Sequence, residues 1–228
     1  MKIDAVGFDL DYTLAVTNRS RSTILAAATA AVGAPSIGRD EYLDAHRLVT
    51  ARESREDIFR LILEEKGADV SPERLAAAYR DRINEALTPV PGAGELLAQL
   101  RSTYRVGLLT NGPKRAQRSK LKRLGWDSAF DSIVITGELG VAKPDSRAFD
   151  ELIAQLDTAP ERTVFVGDEV DMDIAGAHEA GLTPVQVRYP EGPSPHELAA
   201  AQVDRDRLFE EVPAVLDEFQ SANPSPRG

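Results

Sequence analysis

The sequence contains no cysteine, which excludes disulfides, thiolate metal sites and cysteine nucleophiles. It has only three histidines, His46, His178 and His196, far apart and in no ligand-like spacing, so a zinc site is not expected. Basic residues are in deficit: 27 Lys and Arg against 37 Asp and Glu leave a formal charge of −10. Non-specific nucleic-acid binding depends on basic side chains that neutralise phosphates, and this balance argues against it. No apolar run approaches the roughly 18 residues of a membrane span. The opening "MKIDAVGFDLD" meets acids before a signal-like apolar stretch can develop. The expectation is a cytoplasmic protein that binds neither membrane nor nucleic acid.

What is present suits a globular protein. With 228 residues, 42% of them hydrophobic and 28% charged, the chain can form one domain with an insertion, or two small ones. Short β-rich runs recur: "IDAVGFDL", "RVGLLT", "SIVIT", "TVFVGD" and "TPVQVR". Helical patterns such as "GAGELLAQLRS", "KRAQRSKLKRLG" and "SRAFDELIAQL" lie between them. Alternation of this kind predicts an α/β fold, a doubly wound parallel sheet with helices on both faces. Ligands of such sheets bind beyond the carboxyl ends of the strands.

One block breaks the alternation. Residues 17–88 show no strand signal and read as helices, among them "STILAAATAAVG", "DEYLDAHRLVTARE" and "PERLAAAYRDRINEAL". Ser71 before Pro72 is a helix start, a capping serine followed by proline at the first helical position. The predicted organisation is a core of 1–16 and 89–220, an inserted helical subdomain at 17–88, and a tail at 221–228. The insert is close to neutral, so the acidic excess lies in the core.

Polar residues collect at the predicted strand ends. "FDLDYTLA" carries Asp9 and Asp11; "GLLTNG" ends in Thr110 and Asn111; "GVAKPD" supplies Lys143; "VFVGDEVDMD" supplies Asp168, Asp171 and Asp173. If these ends converge, the carboxylates cannot all stay ionised without a compensating cation or protons. Oxygen donors without histidine or cysteine point to a hard cation, and Mg²⁺ held by carboxylates keeps positions for water and substrate phosphate.

Asp-x-Asp-x-Thr at 9–13, Thr110, Lys143 before Pro144 and "GDEVDMD", in that order, resemble the four motifs of the haloacid dehalogenase-like hydrolase superfamily. The resemblance spans about residues 3–188, with the insert placed as in members whose helical cap follows the first motif. It implies a Rossmann-like core and a phosphohydrolase acting on a small phosphorylated metabolite, as a monomer or homodimer. By position, Asp9 resembles the nucleophile that becomes an aspartyl-phosphate, and Asp11 the acid–base residue. Thr110, Asn111 and Lys143 match positions that hold the phosphoryl group. Asp9, the Asp11 carbonyl and Asp168 match ligands of Mg²⁺, with Asp173 beside them directly or through water. A phosphomutase would share these motifs; a 2-haloacid dehalogenase generally lacks the second acid; a catalytically silent regulatory module would not need them intact.

Other positions take plainer readings. Thr13 reads as a brace for the first-motif loop, Asp171 as a solvated acid, and Tyr12, where many relatives have glycine, as tuning, like Met172. Gly167 reads as a site of close backbone approach. "KRAQRSKLKR" reads as a solvated amphipathic helix. Trp126 and Phe130 read as core anchors and His46 as a partly exposed helix residue. Arg47, Arg52 and Arg55 are candidate substrate contacts that spacing alone does not separate.

Overall fold

A computed structural model describes residues 2–48 and 54–221. Arg52 and the tail beyond residue 221 therefore lie outside the described residues. Six parallel strands form one sheet: β1 (Ala5–Phe8), β4 (Arg105–Thr110), β5 (Ser132–Ile135), β6 (Thr163–Gly167), β7 (Thr183–Arg188) and β8 (Ala201–Asp204). Their order is β5-β4-β1-β6-β7-β8. β1 and β6 are buried at every position, which is why they read as continuous apolar runs rather than alternating ones. From β1 the chain winds to one edge and then returns to wind to the other. The reversal falls at β1, so the ends of β1, β4 and β6 adjoin the crevice where such sheets take ligands.

Helices cover both faces. α5 (Ala93–Leu100), α6 (Lys114–Leu124) and α10 (Leu208–Ser221) supply Leu96, Leu97, Leu121 and Leu216 to one core cluster, which also holds Trp126 and Phe130. The short α7 (Thr136–Leu139), α8 (Ser146–Leu156) and α9 (Gly176–Glu179) follow β5 and β6; Phe149, Leu152 and Ala177 build the second cluster. Gly7 and Gly107 are partners across β1 and β4. A Cβ on Gly7 would meet Leu152 and Phe165 at 2.8 Å, and one on Gly107 would meet Leu152 at 2.6 Å. The glycine pair is what lets α8 lie so close to the sheet centre.

The chain leaves the sheet through β2 (Ala15–Thr17) and returns through β3 (Leu87–Pro89), an antiparallel ribbon that pairs Val16 with Thr88. Between them lie α1 (Arg21–Val32), α2 (Arg39–Leu48), α3 (Arg55–Glu65) and α4 (Pro72–Ala86), packed around Ile24, Phe59, Ile62 and Leu75. Ser71 caps α4 as read from the sequence, its Oγ accepting the Arg74 N–H (3.2 Å). The ribbon strands, of three residues each, and the edge strand β8, buried at only one of its four positions, escaped the sequence reading because they carry too little apolar pattern. α4 rests on α6, where the Arg123 guanidinium donates to the Asn84 carbonyl (3.1 Å).

Gly7→Val should destabilise the protein by roughly 1–3 kcal/mol through overpacking against α8. The urea midpoint should fall with the m-value unchanged; an unmoved midpoint would mean that the layer has spare room.

Candidate active site

Asp9 follows β1, and its N–H donates to the Val166 carbonyl of β6 (2.9 Å), which fixes it at the strand ends. Beyond it the chain doubles back: the N–H groups of Leu14 and Ala15 both donate to the Leu10 carbonyl (3.0 Å each). This turn places Tyr12 at φ 66°, a left-handed conformation that costs a non-glycine residue on the order of 1 kcal/mol. The ring of Tyr12 stacks on Tyr189 at 6.1 Å and lies 6.0 Å from the Arg21 guanidinium, contacts that glycine would lack. Thr13 is returned beneath the site, fully buried, and donates to Asp168 Oδ1 (3.3 Å).

Asp168 follows β6, and Asp173 comes from a π-helical turn at Val170–Ala175. Carboxylate oxygens of Asp9, Asp168 and Asp173 lie within 4.8 Å of one another. Tyr189 donates to Asp168 Oδ2 (3.0 Å). Asp173 Oδ2 accepts the N–H groups of Asp168 and Glu169, each at 3.1 Å. A Cβ on Gly167 would sit 2.5 Å from the Asp173 carboxylate. The glycine thus makes room for a side chain, where the sequence suggested backbone. Asp171 is exposed.

Lys143 enters from the loop before α8 and is 3% exposed. Its Nζ donates to Asp9 Oδ1 (2.6 Å) and Asp173 Oδ1 (2.5 Å). Burial lowers its pKa, but Asp173 and Asp9 outweigh burial and raise it, so the ammonium stays charged. Burial lifts the Asp9 carboxyl well above its ordinary value against the pull of Lys143, and Asp173 and Asp168 add to the rise. Burial, with Asp173, pushes Asp168 up to about 7. One lysine therefore leaves the three acids under-compensated. The all-oxygen donor set and its unrelieved negative charge fit a hard divalent cation such as Mg²⁺.

The side chain of Asp11 lies outside this cluster. Lys120 Nζ bonds its Oδ2, Gln117 Nε2 donates to the same oxygen (3.1 Å), and Arg21 of α1 stands 3.5 Å from Oδ1. Burial acts to raise its pKa, but Lys120 and Arg21 prevail and hold it at about 2. Lys114, Arg115, Arg118, Lys122 and Arg123 are exposed, as a solvated amphipathic helix requires, whereas Lys120 and Gln117 are polar residues buried on the inner face of α6. The i, i+3 spacing of these two residues was the available signal, masked by the surrounding charges.

Thr110 is buried and accepts Gln117 Nε2 at its Oγ1 (2.6 Å), which leaves the hydroxyl hydrogen for another acceptor. Asn111 lines the same cavity as Thr110 and Lys143, with its side chain turned to the lysine loop. Its amide donates to the Lys143 carbonyl (3.1 Å) and accepts the Lys143 N–H (2.9 Å), so its side chain is spent on holding the lysine loop. Asp9, Asp11, Thr110 and Lys143 face a cavity of about 410 Å³, whose opposite wall includes Arg21, Arg39, His46, Arg55 and Tyr79. Of the candidate contacts, Arg55 lines this cavity, whereas Arg47 is exposed and paired with Asp44 (2.6 Å). His46 lines it too, and Met172 forms part of the wall.

Over residues 3–181 the chain matches the haloacid dehalogenase-like hydrolase family, and it belongs to that family. It is 35% identical over 196 residues to a glyceraldehyde 3-phosphate phosphatase of Methanopyrus kandleri, covering 82% of this chain and 84% of the relative. It is 40% identical over 138 residues to a phosphoserine phosphatase of Thermus thermophilus, covering 58% and 54% of the two chains. Among solved structures, a phosphatase of the family from Thermococcus onnurineus superposes with a TM-score of 0.69 at 25% identity, covering 94% of this chain and 98% of that one. Among the described residues, no helix is long and apolar enough to cross a membrane.

Because a proton held by Asp168 near pH 7 must leave when a cation binds, Mg²⁺ affinity should rise with pH. Calorimetry should find Mg²⁺ bound about tenfold more weakly at pH 6 than at pH 8, with proton release at the lower pH. A pH-independent affinity would show that no proton on Asp168 competes with the cation between about pH 6 and pH 8.

Proposed function

We propose that the protein is a Mg²⁺-dependent phosphatase that cleaves a small phosphomonoester through an aspartyl-phosphate on Asp9. The observation that carries this reading is the separation of one strand-end pair. Asp9 shares Lys143 with Asp173, whereas Asp11, two residues on, is held by Lys120, Gln117 and Arg21. Two carboxylates in unlike surroundings suit two unlike roles.

Asp9 attacks phosphorus while the ester P–O bond breaks, and the leaving oxygen takes a proton from Asp11. Water then attacks the phosphorus of the aspartyl-phosphate and gives its proton to Asp11; the bond to Asp9 breaks and phosphate leaves. Asp11 is ionised in the free site, which suits the second step. For the first it must gain a proton, and a phosphoryl dianion arriving beside it favours that gain. Lys143 and the Thr110 hydroxyl hold phosphoryl oxygens as negative charge shifts onto them, and Asn111 serves by fixing the Lys143 loop. Asp9, Asp168 and the Asp11 carbonyl, with Asp173 behind them, would hold Mg²⁺, which supplies positive charge for phosphoryl transfer when bound.

Residues 17–88 act as a cap that covers the cavity and selects the substrate, hinged at the β2–β3 ribbon. Asp11 also weighs against displacement of halide from carbon, a reaction with no leaving alkoxide to protonate. A mutase would return the phosphoryl group to its substrate, and product analysis with a sugar phosphate separates the two.

A phosphomonoester panel tests this reading. Hydrolysis should require Mg²⁺, stop with a chelator and resume on resupply. Asp9→Asn should lower turnover by roughly 10³-fold or more, and no acid-stable phosphoenzyme should form. Asp11→Asn, with a substrate whose leaving group needs no protonation, should phosphorylate and then stall. Substantial activity in verified Asp9→Asn protein would overturn the assignment.

A further inference from the structure

The wall facing the strand ends carries more positive charge than a single phosphoryl group needs. Arg21, Arg39 and Arg55 all line the cavity, and each is the first residue of its helix, α1, α2 and α3. A cation at a helix N-terminus opposes the helix dipole, so helix stability does not account for its repeated placement there. Arg21 has an acid within reach, Asp11 at 3.5 Å. Among the described residues, no acid forms an ion pair with Arg39 or Arg55.

Arg55 is the more telling of the two. Its guanidinium lies 5.1 Å from the centre of the Tyr79 ring, and its buried Nε has no hydrogen-bond partner. A buried donor on a permanent cation is costly to leave unmatched, and a planar guanidinium is shaped to grip a carboxylate or phosphate through two parallel bonds. Tyr79 feels the positive charge of Arg55, Arg21 and Arg39 together, and all four residues line the same cavity. The acids of the cavity belong to the opposite, strand-end side: Asp9, Asp11, Glu169 and Asp173.

Resting on the phosphatase reading above, we propose that Arg39 and Arg55 form a second anion subsite, and that the substrate carries a carboxylate or second phosphate besides the phosphoryl group it loses. The strand ends take the reacting group, and the two arginines take the far end. A neutral tail of the same size would leave the buried Nε of Arg55 unmatched, whereas Arg39, an exposed residue, would keep its water, so rejection rests on Arg55.

Binding to Asp9→Asn protein in Mg²⁺ tests this without turnover. Calorimetry would compare 3-phosphoglycerate with glycerol 3-phosphate for the carboxylate arm. Fructose 1,6-bisphosphate against fructose 6-phosphate serves the phosphate arm. The acid-tailed member of at least one pair should bind at least tenfold more tightly, and the arm that shows it identifies the second acid. Adding Arg39→Gln or Arg55→Gln, with folding verified by thermal melting, should bring that ratio close to one. Equal affinities in both pairs, no binding of any of the four, or a ratio that survives both substitutions overturns the subsite. Discrimination in binding without hydrolysis by the wild-type protein would support the subsite while overturning the phosphatase reading.

Discussion

Everything at the strand ends depends on how negative charge is accommodated there. Three carboxylates within 4.8 Å repel one another by about 3 kcal/mol per pair at an effective dielectric near 20. Lys143 answers part of this by bonding two of them at once. The rest of the local structure serves that arrangement. Asn111 clasps the lysine loop through its backbone, Gly167 clears space for Asp173, and two main-chain N–H groups hold the Asp173 carboxylate in place. The charge that remains uncompensated is compatible with a cation held by the cluster.

Asp11 shows the same physics resolved differently. It is close to Asp9 along the chain, yet the turn after β1 sends its side chain to Lys120 and Gln117 on α6 and toward Arg21 on α1. Arg21 is the only one of these from the helical insert, so this pair links the insert to the core at the cavity itself. Tyr12 adds to the same link, accepting a strained backbone while its ring stacks on Tyr189 and lies under the Arg21 guanidinium. The surroundings of Asp11 therefore depend on how the two parts of the chain meet.

The sheet was legible where strands are long or wholly buried. β1, β4, β6 and β7 announce themselves as apolar runs closed by polar residues, and their polar ends marked Asp9, Thr110 and Asp168 before any fold was known. The family resemblance rested on those same ends. The three-residue ribbon and β8 were not legible, because their strand character comes from neighbours that pair with them and not from their own pattern. Tyr189, Gln117 and Lys120 were missed for a related reason: each lies in a segment whose local composition suggests solvent, and only packing turns it inward.

The sequence alone determined the kinds of groups available and their place at strand ends: oxygen ligands without sulfur, a lysine before a proline, and two acids separated by one residue. Those properties are local, set by residue type and periodicity. Tertiary structure decided which charges meet. It joined Lys143 to Asp9 and Asp173, gave Asp11 to Lys120, committed Asn111 to the lysine loop, and left Arg39 and Arg55 facing the cavity. Electrostatic energy and desolvation depend on distance and burial, and neither exists until segments far apart in sequence have packed together.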